Sequence, residues 1–114
     1  MENKLGYSFD DEVVSKFCYD MDNKKIEIYF TSYSDLLKNN YLETPCVWII
    51  ENWEDAKSKI GDEINFYELD KHMGVFSMIL YINTKGDDLE ILVNTIDNRY
   101  ITLLFVKPQI SLSK

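Results

Sequence analysis

His72 is the only histidine in the chain, set beside Asp70 and Lys71 and two residues before Gly74. An imidazole there could act as a general base, or as a favourable charge at the C-terminal end of a helix. A zinc site would want a second histidine or paired cysteines, which this chain lacks, and catalysis needs a constellation of groups rather than one. His72 therefore reads as structural or exposed. Cys18 and Cys46 are the only cysteines, with no C-x-x-C spacing, and both fall in apolar, strand-like company. Nothing in the spacing brings His72 to either of them, so they read as inert, reduced core thiols.

Carboxylates are too abundant for any one pair to be informative. Asp20-x-Asp22-Asn23 is similar to the start of a calcium loop, but Lys24 and Lys25 hold the fifth and glycine positions, and no Glu follows at the twelfth. Glu51 and Glu54 flank Asn52-Trp53, where a helix cap and a solvated helix face account for them. There is no glycine-rich phosphate loop and no G-x-S-x-G. The expected catalytic, cofactor and metal sites are therefore none, and an enzyme is not expected. Tyr33, Asp35, Tyr41 and Glu43 decorate one polar stretch, and aromatics among acids are what a face recognising a basic protein would use. The same aromatics could equally pin the loop to its own protein.

The elements that must hold these groups are written mainly in a period of two. Gly74 to Val106 contains three strand-like runs, Phe76–Ile82, Leu89–Asn94 and Tyr100–Phe105. Polar turns rich in Gly, Asp and Asn separate them, which predicts an antiparallel meander. In the first run Phe76, Met78, Leu80 and Ile82 are expected on one face. The third run is apolar on both faces and is expected to be central.

Earlier in the chain, Leu5–Phe9 leads into the acids Asp10-Asp11-Glu12. Val13–Tyr19 and Lys25–Tyr33 then read as a hairpin, with Ile26, Ile28 and Phe30 inward and Val13, Ser15, Phe17 and Tyr19 sharing a side. Residues 34–44 read as a polar, mobile loop with a helical turn after Ser34 and a bend at Asn39-Asn40. Cys46–Ile50 reads as an interior strand. From Trp53 to Ile60 the pattern predicts a short helix: Asn52 caps, Glu54 and Asp55 lie in the first turn, Lys57 and Lys59 in the last, and Gly61 follows. Trp53, Ala56 and Ile60 would form its buried stripe. Asp62–Met73 suits a short helix or an irregular turn. The expected class is α+β and sheet-dominated, with about six mostly antiparallel strands and one or two short helices packed on the sheet.

The 114 residues make a single domain, 1–114, and 46% hydrophobic content with 14% aromatics supplies a core. The net charge of −8 argues against nucleic acid or an anionic membrane as a direct partner and permits a basic one, although charge of this size also serves solubility. No apolar leader or spanning run is present, so the expected location is the cytoplasm.

The segment Phe9-Asp10-Asp11-Glu12-Val13, followed by the hairpin FCYDMDNKKIEIYF, resembles the opening of small bacterial immunity proteins that accompany polymorphic or contact-dependent toxins. Cys46 to Trp53 and Asp97-Asn98-Arg99-Tyr100 are similar in order to that family's later Cys/Val-rich strand, Asn-Trp step and closing meander. Asp10 stands where many such chains carry a histidine. The resemblance implies a non-enzymatic protein that binds and neutralises a cognate toxin, many of which are basic nucleases. The expected binding face comprises Tyr33, Asp35, Tyr41, Glu43, Glu51, Glu54 and Asp55. Two other classes stay open: a small-molecule-binding or enzymatic domain with tyrosines and His72 converging in a pocket, and a structural homodimer that buries an edge strand.

Overall fold

The computed structural model describes residues 5–9 and 12–114. In chain order its strands are β1 (Tyr7–Ser8), β2 (Val14–Asp20), β3 (Lys25–Phe30), β4 (Tyr33–Asp35), β5 (Asn40–Leu42), β6 (Cys46–Glu51), β7 (Asp55–Ile60), β8 (Tyr67–Glu68), β9 (Phe76–Lys85), β10 (Asp88–Thr95), β11 (Tyr100–Val106) and β12 (Gln109–Ser113). A single helical turn, α1 (Leu69–His72), lies between β8 and β9. The strands form three antiparallel sheets: β8-β7-β11-β10-β9, β12-β6-β3-β2 and the small β1-β4-β5. The described residues are sheet-dominated as expected, but twelve strands among them replace the roughly six anticipated.

The meander β9-β10-β11 forms, and β11 lies between β10 and β7 with Ile101, Leu103 and Phe105 fully buried. Gly86, at φ +62°, and Asp87 make the two-residue turn between β9 and β10. Asn98, at φ +62°, turns β10 into β11, where its amide donates to the Thr95 carbonyl. Both positions need the left-handed backbone that Gly and Asn tolerate best.

The face assignment within β9 is corrected by bulges. Leu92 pairs with Tyr81 but Val93 with Ile79, and Asn94 pairs with Met78 but Thr95 with Phe76, so Leu80 and Ser77 are extra residues. Each insertion shifts the alternation by one. Phe76, Ile79 and Ile82 are consequently the buried set, rather than Phe76, Met78, Leu80 and Ile82. A bulge at Ser15 does the same in β2: Val14 joins Phe17 and Tyr19 against the core, while Val13 is left exposed.

The expected helix over Trp53–Ile60 is a strand. β7 pairs with β11 from Asp55↔Val106 to Ile60↔Ile101. The segment satisfies both periods: Ala56, Ser58 and Ile60 also alternate with Asp55, Lys57 and Lys59. Pairing decides between them, because a helix here would leave one whole edge of the apolar β11 without backbone partners. Asn52 adopts φ +54° and caps nothing; its side-chain amide donates to Gln109 Oε1 at 2.7 Å. Trp53 is still buried, its ring centroid 5.0 Å from that of Phe105.

Residues 34–44 are likewise structured. β4 and β5 form a hairpin that also pairs with β1, and Asn39 turns it at φ +54°. No helical turn follows Ser34. Within Asp62–Met73, the anticipated helix is the single turn α1, which buries Leu69.

Two margins join the large sheets. On one side β6 continues into β7, β11 continues into β12, and the two ribbons stay paired across the corner. The ladder runs from Asp55↔Val106 through Glu54 N–H donating to the Val106 carbonyl at 2.9 Å to Glu51↔Gln109. On the other side a bridge between Val13 and Met78 and the stacking of Phe17 on Phe76 at 4.1 Å link β2 to β9. One hydrophobic core fills the space between, including Phe9, Ile28, Phe30, Trp48, Ile91 and Phe105.

Candidate functional site

The seven residues expected to recognise a partner fall into two groups at opposite ends of the β3–β6 ladder. Cys46, next to Glu43 and its neighbours, pairs with Phe30, whereas Glu51 pairs with Lys25. The six residues of β6 separate these ends by roughly 17 Å.

The first group surrounds the β4–β5 hairpin. Asp35 is spent on local structure: its Oδ1 accepts from the amides of Leu37 and Lys38, each at 3.1 Å, and so fixes the turn. Tyr33 points inward and is 2% exposed. The Lys114 ammonium lies 5.4 Å from its ring centroid, and the Tyr33 phenol beside it raises its pKa. Tyr33 therefore belongs to the pinned loop. Tyr41 differs: its side chain is on the surface at 55% exposure, yet its hydroxyl is tethered. It donates to Ser32 Oγ at 2.7 Å, and Ser32 Oγ donates onward to Glu12 Oε1 at 3.1 Å. Tyr41 and exposed Glu43 line a depression of about 380 Å³ with Thr31, Ser32 and Pro45. Glu12 is the residue the candidate set missed, although it closes the acidic run that begins at Asp10. Asp10 and Asp11 lie outside the described residues.

The second group sits where β6 bends into β7. Glu51 is partly buried, whereas Glu54 and Asp55 are exposed and carry loose ion pairs, with Lys107 at 3.9 Å and Lys57 at 3.8 Å. Such surface pairs contribute little and yield readily to a competing cation. Glu54 and Asp55 line a shallow groove of about 210 Å³ together with Tyr19, Trp53 and Asp70. Tyr19 donates to Asp70 Oδ1 at 2.5 Å; burial first, then this bond and the carboxylate charge, pushes its phenol far above the usual range.

The remaining chemistry-bearing groups do not line either depression. His72 Nε2 is 3.3 Å from Glu63 Oε1, and the Tyr67 ring meets the imidazole edge-on at 5.6 Å. Cys46 is buried, and burial pushes its thiol above the ordinary range. Cys18 is only partly buried and pairs with Glu27 on the outward side of β2, so it is not the core thiol expected. Among the described residues no group of three or more His, Cys, Asp and Glu side chains is arranged to hold a metal ion. Nor is any helix among them long and apolar enough to cross a membrane.

Comparison of the chain with protein-family models, curated proteins and solved structures found no match.

Proposed function

We propose that this protein is a non-enzymatic binding module, an immunity-type inhibitor that recognises a basic toxin through its acidic, tyrosine-bearing surface. The observation that carries the reading is the geometry at Tyr41. An exposed aromatic ring is held by its hydroxyl through Ser32 to Glu12 and stands beside the exposed carboxylate of Glu43. A tyrosine fixed before its partner arrives loses little side-chain entropy on binding, which is how rigid aromatic anchors concentrate interface energy. The surrounding charge, −8 over the whole chain, would accelerate encounter with a cationic partner.

The test is capture from cytosol with tagged protein, including the product of the adjacent upstream gene. Retention of a basic protein that is released as salt rises, and at least tenfold weaker binding by Tyr41→Ala and Glu43→Lys, would support inhibition through this face. Failure to capture any partner at low salt would overturn the reading.

A further inference from the structure

The outer face of the five-stranded sheet holds a polar group that the described chain leaves unsatisfied. Asn83 in β9 stands directly opposite Glu90 in β10 and is only 6% exposed. Its Nδ2 donates to Glu90 Oε1 at 3.5 Å, and the Tyr81 hydroxyl donates to the same oxygen at 3.2 Å. That contact fixes the amide orientation, since reversing it would set a carbonyl oxygen against a carboxylate. Asn83 Oδ1 is thereby left buried without a hydrogen-bond partner.

An unpaired buried amide oxygen forfeits its hydration without compensation, so this atom marks a place where a donor would be welcome. Glu90 adds to the demand. It forms no ion pair with any described residue, and its second oxygen accepts no hydrogen bond from one. Burial, reinforced by the Glu90 charge, raises the Tyr81 phenol, which keeps the hydroxyl a neutral donor. Tyr81, Ile82, Asn83 and Glu90 line a depression of about 320 Å³ whose walls are otherwise largely apolar. The Tyr81 ring at its edge is 39% exposed.

The notch therefore presents one negative charge, a second acceptor and an aromatic ring. A guanidinium answers all three at once. Its planar fork can donate in two directions, to Glu90 and to Asn83 Oδ1, while its flat face lies on an aromatic ring. An ammonium has the charge but not the flat fork, and a neutral or anionic group would leave Glu90 uncompensated. We propose that the Tyr81–Asn83–Glu90 notch receives an arginine side chain of a protein partner. The identity of the occupant as a partner's side chain rests on the binding reading given above; the affinity for guanidinium does not.

The experiment is an amide-shift titration of the labelled full chain with N-acetyl-arginine amide, N-acetyl-lysine amide and N-acetyl-norleucine amide. The expected result is a saturable shift of the Asn83 side-chain amide and of the backbone at 81–83 and 89–91, several-fold tighter for arginine than for lysine and absent for norleucine. Glu90→Gln, and independently Asn83→Ala, should weaken the arginine response at least tenfold with the rest of the spectrum unchanged. Equal responses to all three probes, or none that saturates, would overturn the site. Partner capture separates the two readings: a captured toxin whose affinity is unaffected by Glu90→Gln overturns the notch and spares the inhibitor reading. Binding of arginine amide without capture of any partner spares the notch and removes the inhibitor.

Discussion

Gly74 and Arg99 are packed so closely that a Cβ on the glycine would overlap the arginine's guanidinium, with the Thr95 methyl behind it at 3.3 Å. The constraint at Gly74 is space, not conformation, and it is the far end of the flexible Arg99 side chain that a Cβ would push aside. Arg99 uses this approach to tie two elements together: Nη1 donates to the His72 carbonyl at 3.2 Å, and Nε donates to Asp97 Oδ2 at 2.8 Å. The last residue of α1 is thus fastened to the turn between β10 and β11.

Gly74→Ala should displace that guanidinium and lose both bonds, costing about 1–2 kcal/mol in urea unfolding. Arg99→Ala alone should cost a similar amount. The double variant should be no worse than either single one, because the clash has nothing left to strike. Additive losses would mean that Gly74 does not act through Arg99.

The same turn sets an acid-range signature. Asp97 accepts from the Thr95 hydroxyl and from Arg99, and these bonds, Thr95 first, hold its carboxyl below the ordinary value of 3.8. A group depressed in the folded state stabilises above its unfolded pKa and loses that contribution as pH falls through the folded one. The urea midpoint of the native chain should therefore fall below about pH 4 more steeply than that of Asp97→Asn. Parallel profiles between pH 5 and pH 2 would remove Asp97 from the acid response.

The two thiols should be kinetically distinct. Cys18 is partly exposed on the outward side of β2, whereas Cys46 is buried and its thiol is held protonated by burial. An aromatic disulfide reagent at neutral pH should titrate one thiol rapidly and the second only at the rate of unfolding. Cys18→Ser should abolish the fast phase, and its persistence in that variant would show that Cys46 is reachable in the native fold.

Much of this fold is legible in the chain because alternation and turn chemistry agree. Ile26, Ile28 and Phe30 are buried as their period requires, and Gly86 and Asn98 sit where positive φ is needed. The misreadings have a common cause, which is that pairing partners distant in sequence overrule local pattern. The stretch DAKSKI carries a helical stripe and a strand alternation at once, and only β11, more than forty residues later, selects between them. The extra residues Ser15, Ser77 and Leu80 are invisible without a partner strand to count against, yet each reverses which neighbours face the core. For the candidate surface, residue type put Tyr41 and Glu43 on one polar stretch, and the two line one depression. It could not show that Tyr33 turns inward, that Asp35 is consumed by its own turn, or that Asn83 loses a partner opposite Glu90.

The ribbons that run unbroken from one large sheet into the other have a bearing on how the chain acquires its shape. Cys46–Ile60 must meet Tyr100–Ser113 along its whole length, so each large sheet depends on a contact between segments some fifty residues apart. Neither sheet is then a self-sufficient intermediate. A meander formed early would still lack β7 along one edge of β11, and β2-β3-β6, although paired between near neighbours in sequence, would still lack β12 along the free edge of β6. High contact order of this kind slows folding into the millisecond-to-second range and concentrates it in one cooperative step. Amide protons on both sides of the corner should accordingly become exchangeable together, as a single unit of opening rather than two.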